Sequence, residues 1–376
     1  MKQVTTFSLP AVVTLRWMAS LLSCMLPLAA QTFPQDLLGL TFFGDAIGLA
    51  SRTGHGSLIA ATGQTGYNGS ARVGDSIYAC AQVGTVPAVQ YFLDRIDDAT
   101  GQATRLFSLS QDLRAMASTS NGVLYAVAQS SPSDVLVRVS VTSGAIATVG
   151  PIGFSGVQGL TERNGRLYGW DLTAGLLQIS SATGAGVDVN PAVGTNGFIL
   201  QFLTTMADGR IVGGNNSLYD VDPATGVPDH LGAGQYNSLR AGEERYGVLY
   251  TFGVGCEGVN MTLSGVPQSP TTITTTSIGH DPTTLGAVQV GFSDRHFQNF
   301  PLPLSVDSLL GTVGCFAYAG PDISYTLLTS GIGVMNVVLS IPAGMQGFVF
   351  HVQHISLSNS PGGVAFSNGG TVRLHL

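Results

Sequence analysis

The sequence predicts an all-β protein made of a repetitive part followed by a part with a different pattern. Only 10% of the 376 residues are charged and 50 are glycine, with lysine at Lys2 alone, so residues typical of helices are scarce. Short apolar runs separated by glycine turns recur at a fixed spacing up to about residue 253. After Phe252 the spacing is lost, but alternating runs continue to the C-terminus.

The N-terminus predicts export. Lys2 and Arg16 precede the apolar stretch WMASLLSCMLPLAA (17–30), which ends in small residues, so residues 1–30 are interpreted as a signal peptide cleaved after Ala30. LLSC (21–24) is similar to a lipoprotein box, but too little apolar sequence precedes it. No later run is long enough to span a bilayer. We therefore expect a secreted or extracytoplasmic protein, in the periplasm or at the cell surface.

The charge excludes several classes of function. The formal net charge is −7, and residues 31–376 contain 13 basic and 22 acidic groups. Nucleic-acid binding needs basic surfaces, so it is not expected. A lysine-free mature chain also excludes Schiff-base chemistry and a P-loop lysine.

A turn glycine preceded by Thr or Ser marks the repeat. It occurs at Gly54, Gly101, Gly144, Gly184 and Gly226, at spacings of 47, 43, 40 and 42 residues. Apolar residues lie five and eight positions before each glycine and five after it, which is the pattern of a β-hairpin whose glycine adopts a positive φ.

A second hairpin accompanies each glycine turn, so each unit holds four strands. Its marker is an apolar pair, usually ending in tyrosine, at Ile77-Tyr78, Leu124-Tyr125, Leu167-Tyr168, Ile211-Val212 and Leu249-Tyr250. Four strands in 40 to 47 residues are typical of a β-propeller blade. The loops between the marker and the glycine turn vary in length, and we expect them on one face, where binding sites occur.

The order of the half-units predicts that both ends of the repeat close the ring. The repeat begins with a second half-unit (45–63) and ends with a first half-unit (238–253), and joining them gives a five-bladed propeller over 31–253. A sixth, short blade within 31–45 is the alternative. An open stack of sheets would leave aggregation-prone edges and is disfavoured.

Residues 254–376 predict an antiparallel β-sandwich. GFVFHVQHISL (347–357) alternates like a strand, and Gly and Pro separate similar runs. Cys256 and Cys315 occur in matching contexts, GVGCEG and GTVGCFA, and are predicted to form a disulfide in an exported chain. Cys80 lies on a predicted core strand and is expected to be a buried free thiol.

The C-terminal part also resembles a known type of domain. GVGCEG, PLPLSVDSLLGTVGCFAYAGPD, LSIPAGMQGFVFHVQHISL and FSNGGTVRL are similar to a C-terminal domain found on exported β-repeat proteins of planctomycetes and related bacteria. The resemblance covers about the last 120 residues. It implies an extracytoplasmic accessory module and assigns no activity or functional residue.

Candidate ligand-binding residues are Trp170 and Asp171. Trp170 is the only tryptophan after the leader and begins a variable loop, where it could stack on a sugar ring or pack in a blade core. Glu162, Glu243 and Glu244 could serve as glycosidase carboxylates, but they fall in the predicted polar turns of the first hairpins. The histidine pair His351 and His354 points to opposite faces of a strand, so no metal site is predicted.

Five aspartates were also considered as calcium ligands, but their spacing is not that of a calcium loop. They are Asp94, Asp97, Asp98, Asp220 and Asp222. No catalytic or cofactor motif is present. The sequence therefore favours an exported, monomeric, non-enzymatic scaffold whose propeller binds a surface polysaccharide or protein. The alternative is an extracellular hydrolase or lyase acting on glycans, with carboxylates converging in the mouth of the propeller.

Overall fold

The computed structural model describes residues 35–84, 88–195, 197–234 and 236–374, and within them it is an all-β structure with one short helix. The predicted signal peptide lies outside these residues. No helix in the described ranges is long and apolar enough to cross a membrane. Strands are numbered in chain order.

Residues 37–244 form twenty strands. They are β1 (Leu37–Thr41), β2 (Asp45–Leu49), β3 (Gly56–Ala61), β4 (Tyr67–Val73), β5 (Ser76–Val83), β6 (Gln90–Ile96), β7 (Ala103–Leu109), β8 (Leu113–Ser118), β9 (Leu124–Ala128), β10 (Val135–Val139), β11 (Ile146–Pro151), β12 (Val157–Arg163), β13 (Arg166–Asp171), β14 (Gly175–Ile179), β15 (Gly186–Asp188), β16 (Phe202–Thr205), β17 (Ile211–Gly214), β18 (Ser217–Val221), β19 (Pro228–Ala233) and β20 (Leu239–Glu244).

These strands make five four-stranded antiparallel sheets arranged as a closed ring. The strand orders are β20-β1-β2-β3, β4-β5-β6-β7, β8-β9-β10-β11, β12-β13-β14-β15 and β16-β17-β18-β19. The first strand of each sheet contacts the first strand of the next, and β20 contacts both β16 and β4. We call β4, β8, β12, β16 and β20 the inner strands.

Apolar side chains between neighbouring sheets form the core of the ring. Fully buried Leu93, Leu136, Leu177 and Leu218 belong to three apolar clusters, with Leu136 and Leu177 in the same one. The five turn glycines all have φ between 65° and 81°, which is the conformation expected for the hairpins. Cys80 is buried and free, and its Sγ donates to Leu113 O of the next sheet at 2.7 Å.

The closing sheet differs in one respect from the sequence expectation. Both ends of the repeat contribute strands to this sheet, as expected. The N-terminal end supplies three strands, β1, β2 and β3, and the C-terminal end supplies only β20. β1 occupies the place expected for the strand that carries Tyr250. LLGLT (37–41) has neither a tyrosine marker nor a turn glycine ahead of it, so the repeat pattern did not reveal it.

Residues 248–374 form thirteen further strands and one helical turn. They are β21 (Val248–Phe252), β22 (Asn260–Gly265), β23 (Thr271–Ile278), β24 (Leu285–Gly291), β25 (His296–Phe297), β26 (Phe300–Pro301), β27 (Leu304–Ser305), α1 (Asp307–Leu310), β28 (Phe316–Ala317), β29 (Ile323–Leu328), β30 (Met335–Ile341), β31 (Val349–Leu357), β32 (Val364–Phe366) and β33 (Gly369–Arg373).

Two larger sheets of this second unit share an apolar core. One has six strands, in the order β21-β33-β31-β24-β29 with β32 beside β31, and the other has the order β22-β23-β30. Ile273 and Met335 of the smaller sheet belong to one buried cluster with Val288 and Val352 of the larger. Because β21 pairs with β33, the strand bearing Tyr250 belongs to this unit, and the chain leaves the ring after Glu244 rather than at 253.

The predicted disulfide between Cys256 and Cys315 is confirmed. The two residues are 59 apart in sequence, their Cα atoms are 5.1 Å apart, and both side chains are buried with Val306 and Phe366. The bridge ties the segment around α1 to the start of the second unit.

Candidate functional site

A cavity of about 420 Å³ lies at one end of the ring, where the inner strands finish. We call it the axial pocket. Arg72, Ser118, Thr161, Thr205 and Glu243 come from the five inner strands in turn and line it. β4, β8, β12 and β16 each lead into the turn of a hairpin at this end, and β20 finishes here before the chain enters the second unit, so polar side chains from all five sheets meet.

Glu243 is the least ordinary group of the axial pocket. Burial raises the pKa of Glu243 to about 8, although the neighbouring Arg72 charge and a hydrogen bond from Ser70 oppose that shift. Ser70 Oγ donates to Glu243 Oε1 at 3.2 Å. At neutral pH this carboxyl is therefore mostly protonated, and it can both donate and accept a hydrogen bond.

Arg72 adds little free charge to the pocket. Its guanidinium is paired with Asp98, and it also donates to Glu244 O at 2.8 Å. It lies 5.2 Å from the centre of the Tyr246 ring. With Arg72 neutralised by Asp98 and Glu243 protonated, the pocket presents mainly uncharged donors and acceptors.

Hydroxyl groups supply most of the remaining polar lining. Thr161 Oγ1 and Thr205 Oγ1 are 2.9 Å apart, on the neighbouring inner strands β12 and β16. Ser118 Oγ donates to Arg72 O of the adjacent strand β4. The apolar side chains of Met116, Leu160 and Leu203 complete the wall.

The two other glutamates at this end, Glu162 and Glu244, make structural hydrogen bonds and ion pairs. Glu244 is buried, and its carboxylate accepts hydrogen bonds from Ala207 N at 2.7 Å and Tyr246 OH at 2.8 Å, and pairs with Arg373 of the second unit. Glu162 Oε1 accepts from Gly165 N in its own turn. Glu162 and Glu244 nevertheless line the same cavity as Glu243.

The position of these glutamates corrects the interpretation of them as turn residues. Glu162 lies within β12, and Glu243 and Glu244 are the last two residues of β20. One signal in the sequence could have located Glu243 and Glu244: the strand that begins at Leu239 continues through LRAGEE to Glu244, so both glutamates belong to the strand. A search for apolar periodicity misses these two glutamates, because an inner strand carries polar residues where it lines the axial pocket.

The structure buries both candidate ligand-binding residues. Trp170 has 0% exposure and packs among Leu176, Leu203 and Ile211, which matches the core-packing alternative. Asp171 is also buried, and its oxygens accept hydrogen bonds from backbone N–H groups, including Gly156 N at 3.0 Å and Thr173 N at 2.8 Å. Neither side chain lines the axial pocket.

The histidines and aspartates considered as metal ligands serve other contacts. His351 hydrogen-bonds Thr371, while His354 contacts Ser277 and Thr275 in a separate network. Asp98 pairs with Arg72, and Asp222 accepts from Ala224 N in its turn. Within the described ranges no group of three or more His, Cys, Asp or Glu side chains is placed to hold a metal ion.

No protein-family model and no curated protein matches the chain. Among solved structures, three similarities each cover just over half of it. A nidogen–laminin complex aligns with 55% of this chain and 97% of its own (11% identity, TM-score 0.38). A PQQ-bound aldose sugar dehydrogenase from Streptomyces coelicolor aligns with 57% and 83% (14% identity, TM-score 0.35). A gluconolactonase from Xanthomonas campestris aligns with 55% and 79% (11% identity, TM-score 0.35). Similarities at this level define no family for the chain.

Proposed function

We propose that this is an exported binding protein whose axial pocket holds a neutral, hydroxyl-rich small molecule, such as one or two sugar residues of a surface polysaccharide. In this proposal the five sheets are the blades of a five-bladed β-propeller. The two sheets of the second unit form a β-sandwich that serves as an accessory module, in keeping with the resemblance of its sequence to such modules.

The position of Glu243 among serine and threonine hydroxyl groups in one cavity is the observation that carries the proposal, and its raised pKa keeps the carboxyl protonated. A sugar hydroxyl is both donor and acceptor, and a protonated carboxyl and serine and threonine hydroxyls have the same dual character. A cavity of 420 Å³ falls in the range of roughly 300–1,000 Å³ usual for small-molecule sites. Because Arg72 is paired with Asp98 and Glu243 is protonated, a neutral ligand would leave few ions of the pocket without a partner.

Calorimetric titration with a panel of neutral mono- and disaccharides tests this proposal. We expect one class of sugar to bind at pH 7, and its affinity to fall above pH 8 as Glu243 loses its proton. Glu243→Gln keeps a neutral donor and acceptor and should abolish that pH dependence. Glu243→Ala should weaken binding about tenfold, since a hydrogen bond contributes about 1 to 1.5 kcal/mol.

Glu257→Gln is the matched control, because Glu257 is an exposed glutamate of the second unit, away from the pocket. It should leave both affinity and pH dependence unchanged. Absence of binding by every sugar tested, or equal binding by wild type and Glu243→Ala, would contradict the proposal.

A hydrolase or lyase acting on glycans is the second candidate, since Glu162 and Glu243 line one cavity. A protonated Glu243 could act as a general acid, with Glu162 as the second carboxylate. Release of reducing ends or unsaturated products from a bound glycan, abolished in Glu243→Gln while binding persists, would favour this candidate. Binding without product would favour the first.

A further inference from the structure

The end of the ring opposite the axial pocket carries a second set of polar side chains. Four inner strands contain a polar residue near their start that interrupts the regular pairing, and the fifth, β16, is directly preceded by the polar residue Gln201. The register shifts in four strands leave Asn68, Arg114, Gln158 and Arg240 without a direct partner. Gln201 precedes β16, and its N–H donates to Gly214 O, the residue opposite Phe202.

These five positions define what we call the bulge mouth. A β-bulge re-aims a side chain relative to the regular alternation of a strand. Asn68 and Arg72 lie four residues apart on β4, so the bulge mouth is about 13 Å from the axial pocket along that strand. The loops that join the second and third strands of each sheet, which the sequence predicts to share one face, surround the bulge mouth.

Arg240 is the central residue of the bulge mouth. Its Nη1 donates to Gln201 Oε1 at 2.5 Å, and its guanidinium lies 5.6 Å from the centre of the Phe42 ring. Its Nε is buried without a hydrogen-bond partner, and no carboxylate among the described residues forms an ion pair with it. Arg240 is therefore a partly buried cation with unused donors.

Arg114 brings a second positive charge to the same mouth. Burial, followed by the charge of Arg114, lowers the pKa of Arg240, so the two guanidinium groups repel each other. Arg114 is held by Asp112, with Nε and Oδ2 3.5 Å apart, and Asn68 Nδ2 donates to the other oxygen of Asp112 at 3.3 Å. Asp112 thus offsets one of the two positive charges.

Two other carboxylates near this face already accept hydrogen bonds from the backbone. Asp134 and Asp171 are buried, and both accept hydrogen bonds from backbone N–H groups, such as Val157 N to Asp134 at 3.0 Å and Ala174 N to Asp171 at 2.8 Å. They anchor loops and are not placed as ion-pair partners of Arg240. The positive charge of Arg240 is left for a group from outside the chain.

An exposed aromatic ring lies next to the phenylalanine that contacts this cation. Phe43 is 67% exposed, and its ring centre is 5.9 Å from that of Phe42, which packs under Arg240. A ligand whose charged group reached Arg240 could lay an apolar face on Phe43. Such a surface next to a cation suits an acidic sugar or a similar cyclic acid.

We propose that the bulge mouth is an oxyanion-binding site, in which Arg240, supported by Arg114 and Gln201, binds a carboxylate or sulfate group of an external ligand. The fork of a guanidinium matches the two oxygens of such a group. Binding would satisfy the unused donors of Arg240 and relieve its repulsion with Arg114.

Calorimetric titration of the full chain with glucuronate, inorganic sulfate and glucose tests this site. Glucose has the same ring as glucuronate without the charge. We expect glucuronate and sulfate to bind and high salt to weaken both, while glucose does not compete with them. Arg240→Gln should weaken glucuronate binding about tenfold, because a hydrogen bond to a charged group contributes about 1.5 kcal/mol to binding. Arg240→Lys should lie between the two.

Gln201→Glu is a second variant, and it leaves both arginines of the bulge mouth in place. It would place a carboxylate where an amide now accepts from Arg240, and it should block both anions. Arg95→Gln, at an exposed arginine of β6, is the control and should bind as wild type does. No binding of either anion, equal affinity in Arg240→Gln, or competition by glucose would each overturn the proposal. Because these residues do not line the axial pocket, the outcome is independent of sugar binding there.

Discussion

At the scale of single residues, the ring places a carboxyl group where its proton is retained at neutral pH. The folded chain holds the Glu243 proton up to about pH 8, whereas the ordinary pKa of a glutamate is 4.5. Between these values the folded state binds one more proton than the unfolded state. This contribution to stability is complete below pH 4.5 and is lost as the pH rises through 8.

Glu243→Gln should therefore become more stable than wild type as the pH rises. The variant keeps the shape of the side chain but has no proton to lose. We expect its advantage in the free energy of unfolding to grow between pH 4.5 and 8 and to reach roughly 3 to 5 kcal/mol, at about 1.4 kcal/mol for each unit by which the pKa is raised. Urea denaturation at a series of pH values measures it. A constant difference across that range would show that Glu243 titrates normally.

Residue-level placement is also where sequence reasoning was weakest. Trp170 attracted attention as a lone tryptophan, but it lies opposite Leu176 of β14 and in one buried cluster with Tyr168, so its strand position directs it into the core. Glu243 was considered but assigned to a turn, and Arg240 was not singled out, because the six-residue strand LRAGEE that contains both shows no clear apolar period. Which side chains meet at the ends of a ring depends on contacts between distant repeats, and one repeat does not contain that information.

At the scale of elements, the hairpins were predictable because their turns have strict conformational needs. The five turn glycines are identical in sequence role, but their surroundings differ. A Cβ at Gly184 would lie 2.4 Å from Gly150 O of the neighbouring sheet, while a Cβ at Gly226 would meet nothing closer than 3.4 Å. Gly184 is thus required both by its positive φ and by the close approach of the neighbouring sheet, whereas Gly226 is required only by its positive φ.

Gly184→Ala should cost more stability than Gly226→Ala. Both substitutions force alanine into a positive φ, at about 1 to 2 kcal/mol. Only Gly184→Ala also collides with backbone, which adds a further cost of about 1 to 3 kcal/mol. Thermal and chemical denaturation of the two variants make the comparison. Equal losses would mean that the neighbouring sheet moves away without cost.

The second unit contains a buried polar chain that links its two larger sheets. Ser277 Oγ lies 2.6 Å from His280 Nε2 and 2.6 Å from His354 Nδ1, and the outer ends are His280 to Ser356 at 2.7 Å and His354 to Thr275 at 2.8 Å. Burial lowers the pKa of His354 to about 3 and also lowers that of His280. Both rings are therefore neutral at physiological pH.

Acid should destabilise this unit before the carboxylates are protonated. An unfolded histidine takes up a proton below about pH 6.5, but folded His354 does so only near 3, so stability present above 6.5 is lost as the pH falls towards 3. His354→Asn should flatten the fall in unfolding free energy between pH 6.5 and 4. His230→Asn, at an exposed histidine, should retain the wild-type slope. An unchanged slope in His354→Asn would contradict this assignment.

At the scale of the whole molecule, ion pairs connect the ring to the second unit. Arg373 of β33 pairs with Glu244 of β20 and donates to Asp36 O at 3.2 Å and Arg245 O at 3.1 Å. Arg52 of the first sheet pairs with Asp294 of the second unit at 2.5 Å. Arg373 and Glu244 are both buried, so each depends on the other for compensation of its charge.

Arg373→Met should destabilise the protein by about 3 to 5 kcal/mol, because it leaves Glu244 buried without its partner. We expect the ring and the second unit to separate into two calorimetric transitions. Adding Glu244→Gln should recover part of the loss, since no charge then remains buried. Arg166→Met, at an exposed arginine, is the control. A single unchanged transition in Arg373→Met would exclude this pair as the coupling.

The three-to-one closing sheet has a consequence for the order of events during synthesis. The first three strands emerge early, but their missing neighbour, β20, lies about 200 residues later. Until it arrives, β1 has an open edge on which a foreign strand could pair. A nascent chain halted before Leu239 would keep that edge indefinitely. The interval between making β1 and β20 is thus the period in which a chaperone would need to shield the chain.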